Sequence, residues 1–548
     1  MGLLDRRIGL LFAVFLLLLG AASMRAAWLG TVKAGSLKAR AVTQQVEDLE
    51  VPARRGTIID RNGVELAVSE DATTVFANPF LVKRPAAVAA KLAPLVGRPQ
   101  EELLKALADR DKGFVYLRRK LDSSVGRRID KLALVGVGTV GEPRRTYPQG
   151  ALAGQLLGAV GTDNLGLSGI EQQYEKGLHG SDGRRRLVKD ATGEPVSIVE
   201  PDRAEAGKDI RLTIDVALQE RVEAVLEGVG RNHSPRGATA VVMDPRNGEV
   251  LALSNWPRVD PNDIGGDASA YARTNRAVAA SYEPGSTFKA FTVAGALEDR
   301  VVRPGTRFQL QPTLQVADRE IGESHERGTV DLSVADILAQ SSNVGAATIG
   351  LKLGKRRFAR WVRRFGFGSP TGIGLPAEAP GIVLSPDRYS GSTLGNMAIG
   401  QGLAVTPLQM ATGFSAIGNG GVLHPPHVIA GERGRGRRVI SPGTSAQVAK
   451  MLEGVFGPGG TAEEAEVPGY RLAGKTGTAE KPDPKTGGYS KFKFFSSFIG
   501  FAPAKSPRLM VAVMVDEPKG EYYGGAVAAP AFERIVEFAL PYLRIPPR

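Results

Sequence analysis

The sequence predicts an α+β protein in three parts: an N-terminal transmembrane helix, an elongated mixed β-rich module, and a larger domain in which helices cover an antiparallel sheet. Three observations lead there. Ile8 to Met24 is an uncharged apolar run of 17 residues, close to the roughly 20 that cross a bilayer. Apolar strand pairs stand at both ends of the stretch that begins near Asp209. Between them lie segments rich in Ala, Leu and Gly that read as helices.

Arg6 and Arg7 precede the apolar run and Arg25 follows it, so the flanking charge does not fix an orientation. Ala21 and Ser23 are small enough for signal processing. The run is nevertheless long for a signal core, which favours a retained anchor over residues 1–29. Residues 30 to about 55 read as a stalk. The segment RRGTIIDRNGVELAVS places β-branched residues around Asp60-Arg61-Asn62-Gly63, a hairpin pattern. Residues 84–109 read as helical, and residues 30–205 together form a non-catalytic stalk and pedestal. From 206 to 548 the pattern changes. LTIDVALQERVEAVLEGV is a strand and then an amphipathic helix. GATAVVMDPRNGEVLALSN and FFSSFIGFAPAKSPRLMVAVMVDE are strand pairs around turn sequences.

Composition narrows the chemistry. Hydrophobic residues make up 42% of 548, enough for a real core. With no cysteine, a disulfide framework, a cysteine nucleophile, a thiolate metal site and a lipidated N-terminal cysteine are all excluded. Of five histidines only His424 and His427 are close, in HPPH. Usual zinc spacings are missing there, so the segment reads as a surface loop and no metal is expected. The net charge of +13 rests partly on Arg433 to Arg438, read as a solvated loop, and on Lys355 to Arg364. In the latter, Phe358, Trp361, Val362 and Phe365 make an apolar stripe and the charges an exposed face. No nucleic-acid-binding motif is present, so an anionic membrane surface or wall is the better use of this charge.

Three short motifs carry the chemistry. Glu283-Pro284-Gly285-Ser286-Thr287-Phe288-Lys289 opens a helix, and Ser286 and Lys289, three apart, share a face of it. A serine hydroxyl needs a base to become a nucleophile. A lysine can serve only if burial or a neighbouring cation lowers its pKa from about 10.4. Ser341-Ser342-Asn343 places a hydroxyl and an amide at a break between helical stretches. Lys475-Thr476-Gly477-Thr478 sets a cation and two hydroxyls on a strand, where Gly477 leaves the surface open to a substrate backbone. Each motif alone is weak. Ser490 to Lys493 and Lys485-Thr486-Gly487 repeat two of the patterns, in a polar loop without a helix or strand to hold them. The order and the local structure of the three give the signal.

This order, Ser-x-x-Lys then Ser-x-Asn then Lys-Thr-Gly, resembles the penicillin-binding proteins and serine β-lactamases. Arg55-Gly56 with Asp60 to Gly63, Arg145-x-Tyr147-Pro148, Gly169-x-Glu171 and Tyr174-Glu175 resemble N-terminal motifs of class B penicillin-binding proteins. Gly400 to Ala411 and Tyr522 to Phe532 are most like the septal, cell-division transpeptidases.

The resemblance implies a D,D-transpeptidase that cross-links peptidoglycan stem peptides outside the cell membrane, needs no cofactor, and is acylated by β-lactams. It assigns Ser286 as nucleophile, Lys289 as base, Ser341 and Lys475 as proton relay, and Asn343 as the group orienting Lys289 and the substrate. Thr476 and Thr478 would hold the substrate carboxylate, and the amides of Ser286 and Thr478 the oxyanion. A membrane-embedded glycosyltransferase and cell-division proteins are the implied partners. Glu70-Asp71 lacks the histidine of a glycosyltransferase motif, so that second activity is rejected. A hydrolase with the same motifs, or a penicillin-binding sensor or scaffold, stays open.

Overall fold

The computed structural model describes residues 3–33, 35, 46–189, 195–483 and 487–547. Residues 34 and 36–45 of the expected stalk, and Lys485 and Thr486 of the repeated Lys-Thr-Gly, lie outside them. One helix, Leu3–Thr31, contains the apolar run. Its Arg6–Thr31 portion has a mean hydropathy of 2.1 and is long enough to cross a membrane. The leucine-rich run is helix-favouring and leaves its side chains exposed.

The chain divides into two compact units. The first comprises Met1–Arg54, Asp71–Pro143 and His179–Gly207. In it the expected helical stretch is two helices, Pro85–Val96 and Gln100–Ala108. Gly97 separates them in the left-handed region (φ 63°), a conformation glycine adopts without a Cβ penalty. Ala89, Leu92, Val96, Leu103 and Leu107 are buried with Val75 and Leu117, which lie on the antiparallel pair Ala72–Ala77 and Val115–Asp122.

The second unit comprises Arg55–Glu70, Arg144–Leu178 and Lys208–Arg548. Its centre is a five-stranded sheet of β1 (Gly237–Met243), β2 (Val250–Trp256), β3 (Ala473–Asp483), β4 (Gly488–Ala502) and β5 (Leu509–Asp516). The spatial order is β2-β1-β5-β4-β3, antiparallel throughout, as the strand pairs predict. The strands read as continuous apolar runs because both faces are covered. Val242, Val511 and Val513 join the core beneath the helices Val216–His233 and Ala529–Tyr542. Their neighbours Val241 and Ala512 point the other way, into a core shared with Phe291, Phe358 and Phe414.

The helix α1 (Lys289–Glu298) runs through that second core with every side chain from Lys289 to Leu297 buried. Phe291 meets the rings of Phe365 and Phe367 at 4.9 Å and Phe414 at 5.3 Å. Phe365 directly follows the basic Lys355–Arg364 stretch, a helix that buries Phe358, Trp361 and Val362 and exposes its charges as the stripe predicts.

Two loop expectations are corrected. Arg433 to Gly436 is a loop with exposed arginines as expected, but Arg437–Arg438, also exposed, is a short strand paired with Val422–Leu423, its guanidinium groups reaching the carbonyls of Arg364 and Gly420. His427 is buried and not in a surface loop: its backbone exchanges hydrogen bonds with Gly248 and Val250.

The Arg55, Arg145 and Glu171 motifs close the same unit. Glu171, fully buried, accepts from Arg55 Nη2 at 2.8 Å and from Arg145 Nε at 2.6 Å. Arg145 also reaches the carbonyl of Gly56 at 2.8 Å. Asp60 folds its own turn by accepting the amides of Asn62 and Val64, then takes the amide of Val216 at the start of the Val216–His233 helix.

Candidate active site

The first motif forms a 3-10 turn, Gly285–Phe288, that runs into α1. Residues three apart eclipse in such a turn, so Ser286 and Lys289 share a face as expected, although the helix type differs. Gly285 is left-handed (φ 55°) and donates to the carbonyl of Gly400 at 3.0 Å. A Cβ on Gly400 would lie 2.0 Å from the oxygen of Gly285, so the chain there must be bare. Ser286 is half-buried, and Lys289 is buried completely.

Ser341 lies between the helices Val334–Ala339 and α2 (Asn343–Leu353), in the left-handed region at φ 61°. Non-glycine residues pay for that conformation and keep it only where the surroundings enforce it. Here it aims three acceptors at one ammonium. Lys289 Nζ donates to the Ser341 carbonyl at 2.6 Å, to Asn343 Oδ1 at 2.6 Å and to Ser341 Oγ at 3.3 Å. Burial pushes the Lys289 pKa down to about 7, with the charge of Glu323 opposing and that of Arg327 assisting.

Lys475 is also fully buried, on β3, with Nζ 3.1 Å from the Thr476 carbonyl. Burial first, and the nearby Lys289 second, hold its pKa well below the ordinary lysine value. Two lysines packed this closely cannot both keep a proton cheaply near neutral pH. The site thus supplies the neutral amine that the serine requires, without a histidine.

Thr478 lines an open groove of about 820 Å³ together with Glu283, Asn343, Tyr489, Tyr522 and Tyr523. Its hydroxyl accepts the amide of Gly524 at 3.0 Å. Thr476 is buried, and its hydroxyl lies 2.6 Å from that of Thr461. The reading of Gly477 is corrected. A Cβ there would meet Ser497 Oγ at 2.4 Å, Thr287 Cγ2 at 2.9 Å and the Pro284 carbonyl at 3.1 Å. The glycine lets β3 close on the serine turn itself, so its small size serves that contact.

The repeated Ser490-x-x-Lys493 is corrected too, since it lies on β4 and not in a loop. Ser490 Oγ accepts the amides of Phe492 and Lys493, while Lys493 pairs with Glu517. Neither residue lines the groove.

Sequence reasoning missed Glu323 and Arg327. Glu323 follows the strand Arg319–Gly322 and accepts the Asn343 amide at 2.7 Å, the Val344 amide at 3.3 Å and the Ser342 hydroxyl at 2.6 Å. One acid among several, 20 residues upstream of a helix start, carries no local signal that singles it out. Tyr489 was missed, and Glu283, although it opens the first motif, was given no role, because the contact between them is long-range. Tyr489 donates to Glu283 Oε2 at 2.9 Å across 206 residues of chain.

A serine at a helix start, a buried lysine of lowered pKa held by Ser341 and Asn343, and a second buried lysine on the facing strand together form a candidate active-serine site. Comparison with known proteins agrees. Residues 238–537 match the penicillin binding protein transpeptidase domain, and residues 50–212 match the penicillin-binding protein dimerisation domain. The probable peptidoglycan D,D-transpeptidase PenA of Neisseria meningitidis is 34% identical over 95% of this chain and 90% of its own. The peptidoglycan D,D-transpeptidase FtsI of Escherichia coli is 32% identical over 99% and 92%. The crystal structure of penicillin binding protein 3 from Mycobacterium tuberculosis, complexed with aztreonam, superposes with a TM-score of 0.71 at 29% identity, covering 91% of this chain and 98% of that one. The chain belongs to the class B penicillin-binding proteins, the serine-type peptidoglycan D,D-transpeptidases.

Proposed function

We propose that this transpeptidase cross-links stem peptides during septal wall synthesis, with Ser286 as its nucleophile. The observation that carries the assignment is the buried Lys289 ammonium held between Ser341 and Asn343. Ser286 Oγ attacks the penultimate D-Ala carbonyl while its proton passes to the Lys289 amine. The amides of Ser286 and Thr478 stabilise the oxyanion, each such donor being worth about 2.7–4 kcal/mol. The intermediate collapses with cleavage of the bond to terminal D-Ala. The leaving amine takes its proton through Ser341 and Lys475. An amine of a neighbouring stem peptide then attacks the ester, forms the cross-link and returns Ser286. Thr476 and Thr478 take the substrate carboxylate, a reading supported by the position of Thr478 in the groove and of Thr476 on the same strand, beside Gly477.

On this reading, residues 1–29 anchor the chain, residues 30–205 form the stalk and pedestal, and residues 206–548 carry the reaction on the extracytoplasmic side. The septal assignment is supported by the likeness to FtsI along nearly the whole chain. It makes a membrane-embedded glycosyltransferase and cell-division proteins the expected partners.

Labelling with a fluorescent penicillin, compared between wild type and Ser286→Ala by gel and intact mass, tests the nucleophile. A stable adduct lost in the variant supports the reading. Unchanged labelling of Ser286→Ala would overturn it, and rapid release of the adduct would point to a hydrolase. Depletion in the native cell tests the septal role, which requires filaments that fail to constrict. Rounded cells would overturn it.

A further inference from the structure

Glu323 is an unusual helix cap, because it holds three consecutive residues. Its side chain is 6% exposed. Besides the amides of Asn343 and Val344, it accepts the hydroxyl of Ser342, and that hydroxyl accepts in turn from the Gly345 amide at 2.9 Å and from Arg327 Nη2 at 2.8 Å. Arg327 pairs with the same carboxylate. One residue earlier, the Gly322 carbonyl accepts Asn343 Nδ2 at 2.9 Å, which turns Oδ1 of that amide toward Lys289. The left-handed Ser341, whose carbonyl and hydroxyl complete the Lys289 cage, directly precedes this anchored segment.

We propose that Glu323 and Arg327 are positioning residues for acylation: the carboxylate locks Ser341 and Asn343 onto Lys289, and the pair's opposed charges set how readily that lysine gives up its proton. The inference rests on the reading of Lys289 as the base. The charged groups that act on Lys289 are Glu323 and Arg327, and Lys289 in turn acts on Lys475. A carboxylate favours the ammonium, whereas a guanidinium or a second lysine disfavours it. A helix cap whose charge did not reach Lys289 would leave the lysine's titration where it was.

The opposed charges give opposed predictions. In full-length protein held in detergent, the second-order rate of acylation by fluorescent penicillin is measured from pH 5 to 9 for wild type, Glu323→Gln, Glu323→Asp and Arg327→Gln. Acylation needs the neutral amine, so the rate falls on the acid side of the lysine's pKa. Glu323→Gln removes the stabilising anion and moves the acid limb down by about half a pH unit or more. Its best rate falls about tenfold as the cage loosens. Arg327→Gln moves the limb up by a similar amount, and Glu323→Asp returns it toward the wild-type position. Limbs that stay in place in both charge variants, or move in the same direction, overturn the proposal. If Glu323→Gln does not fold, the upward shift in Arg327→Gln decides alone. Failure of the underlying reading looks different: Ser286→Ala would still label, or wild type would show no acid limb.

Discussion

Gly477 faces Ser497 across β3 and β4 so closely that a Cβ on the glycine would sit 2.4 Å from the serine hydroxyl. The same Cβ would press on Thr287, next to Ser286 in its turn, and on Pro284, which caps that turn. Neighbouring strand and turn are fixed by backbone and a full core, so neither can withdraw cheaply. Gly477→Ala is expected to cost about 1–3 kcal/mol in stability. It should also slow acylation by about a hundredfold, since small misplacements at a reacting centre are that costly. Thermal unfolding beside penicillin-labelling kinetics measures both. Normal labelling in a folded variant would refute the packing argument.

Asn343→Ala leaves the buried Lys289 with one fewer acceptor, at the point where Asn343 lines the open groove. Burial of an unpaired polar group costs about 1–3 kcal/mol. Acylation should drop about tenfold to hundredfold while the protein still folds, because helix α2 keeps its Ser342 cap. Stopped-flow labelling with matched circular dichroism checks this.

The pH profile of the wild type follows from Lys289. With its pKa near 7, the neutral fraction falls about tenfold for each pH unit below that value. Acylation should therefore be close to its plateau at pH 8 and about tenfold slower at pH 6. A flat profile between pH 5 and 8 would show that Lys289 is not the base.

The same burial has a stability signature. The folded pKa of about 7 lies below the roughly 10.4 of an unfolded lysine. Between these values the unfolded chain binds more protons, so stability rises with pH across that window. Lys289→Met lacks this term. It should abolish labelling yet melt higher than wild type, by on the order of 1–3 kcal/mol at pH 6 after the lost hydrogen bonds are counted. The gap should narrow as pH rises toward 10. A gap independent of pH would contradict the assignment.

Glu171→Ala removes the carboxylate shared by two buried arginines, leaving Arg145 without its carboxylate while Arg55 keeps Glu175 at 2.9 Å. Removing one partner of a buried ion cluster costs about 3–5 kcal/mol. Glu102→Ala, which breaks the exposed pair with Arg98, should cost less than about 1 kcal/mol. Denaturant midpoints of the two variants should differ accordingly, and equal midpoints would refute the ranking.

Much of this was legible in the sequence. A 17-residue apolar run can hardly be anything but a helix that leaves water. The strand pairs from Gly237 to Trp256 and from Phe494 to Asp516 declare themselves because apolar residues and a turn alternate within one short window. The serine, lysine and asparagine positions were legible for the same reason: each motif needs only its own few residues to take a helix, a break or a strand. Gly477 shows the limit, since its motif was recognised while the residue that demands the glycine, Ser497, lies on the next strand.

What the sequence alone determined was local: the period of each segment, the turn chemistry, and which residue types stand at fixed short spacings. The tertiary structure decided that Lys289 is buried beside Lys475, that Ser341 is left-handed, and that Glu323 and Arg327 reach the helix start at Asn343. Burial and electrostatics depend on what surrounds a group, and chain connectivity does not limit which residues those are. A lysine's proton affinity is therefore written in its three-dimensional neighbours, some of them more than a hundred residues away.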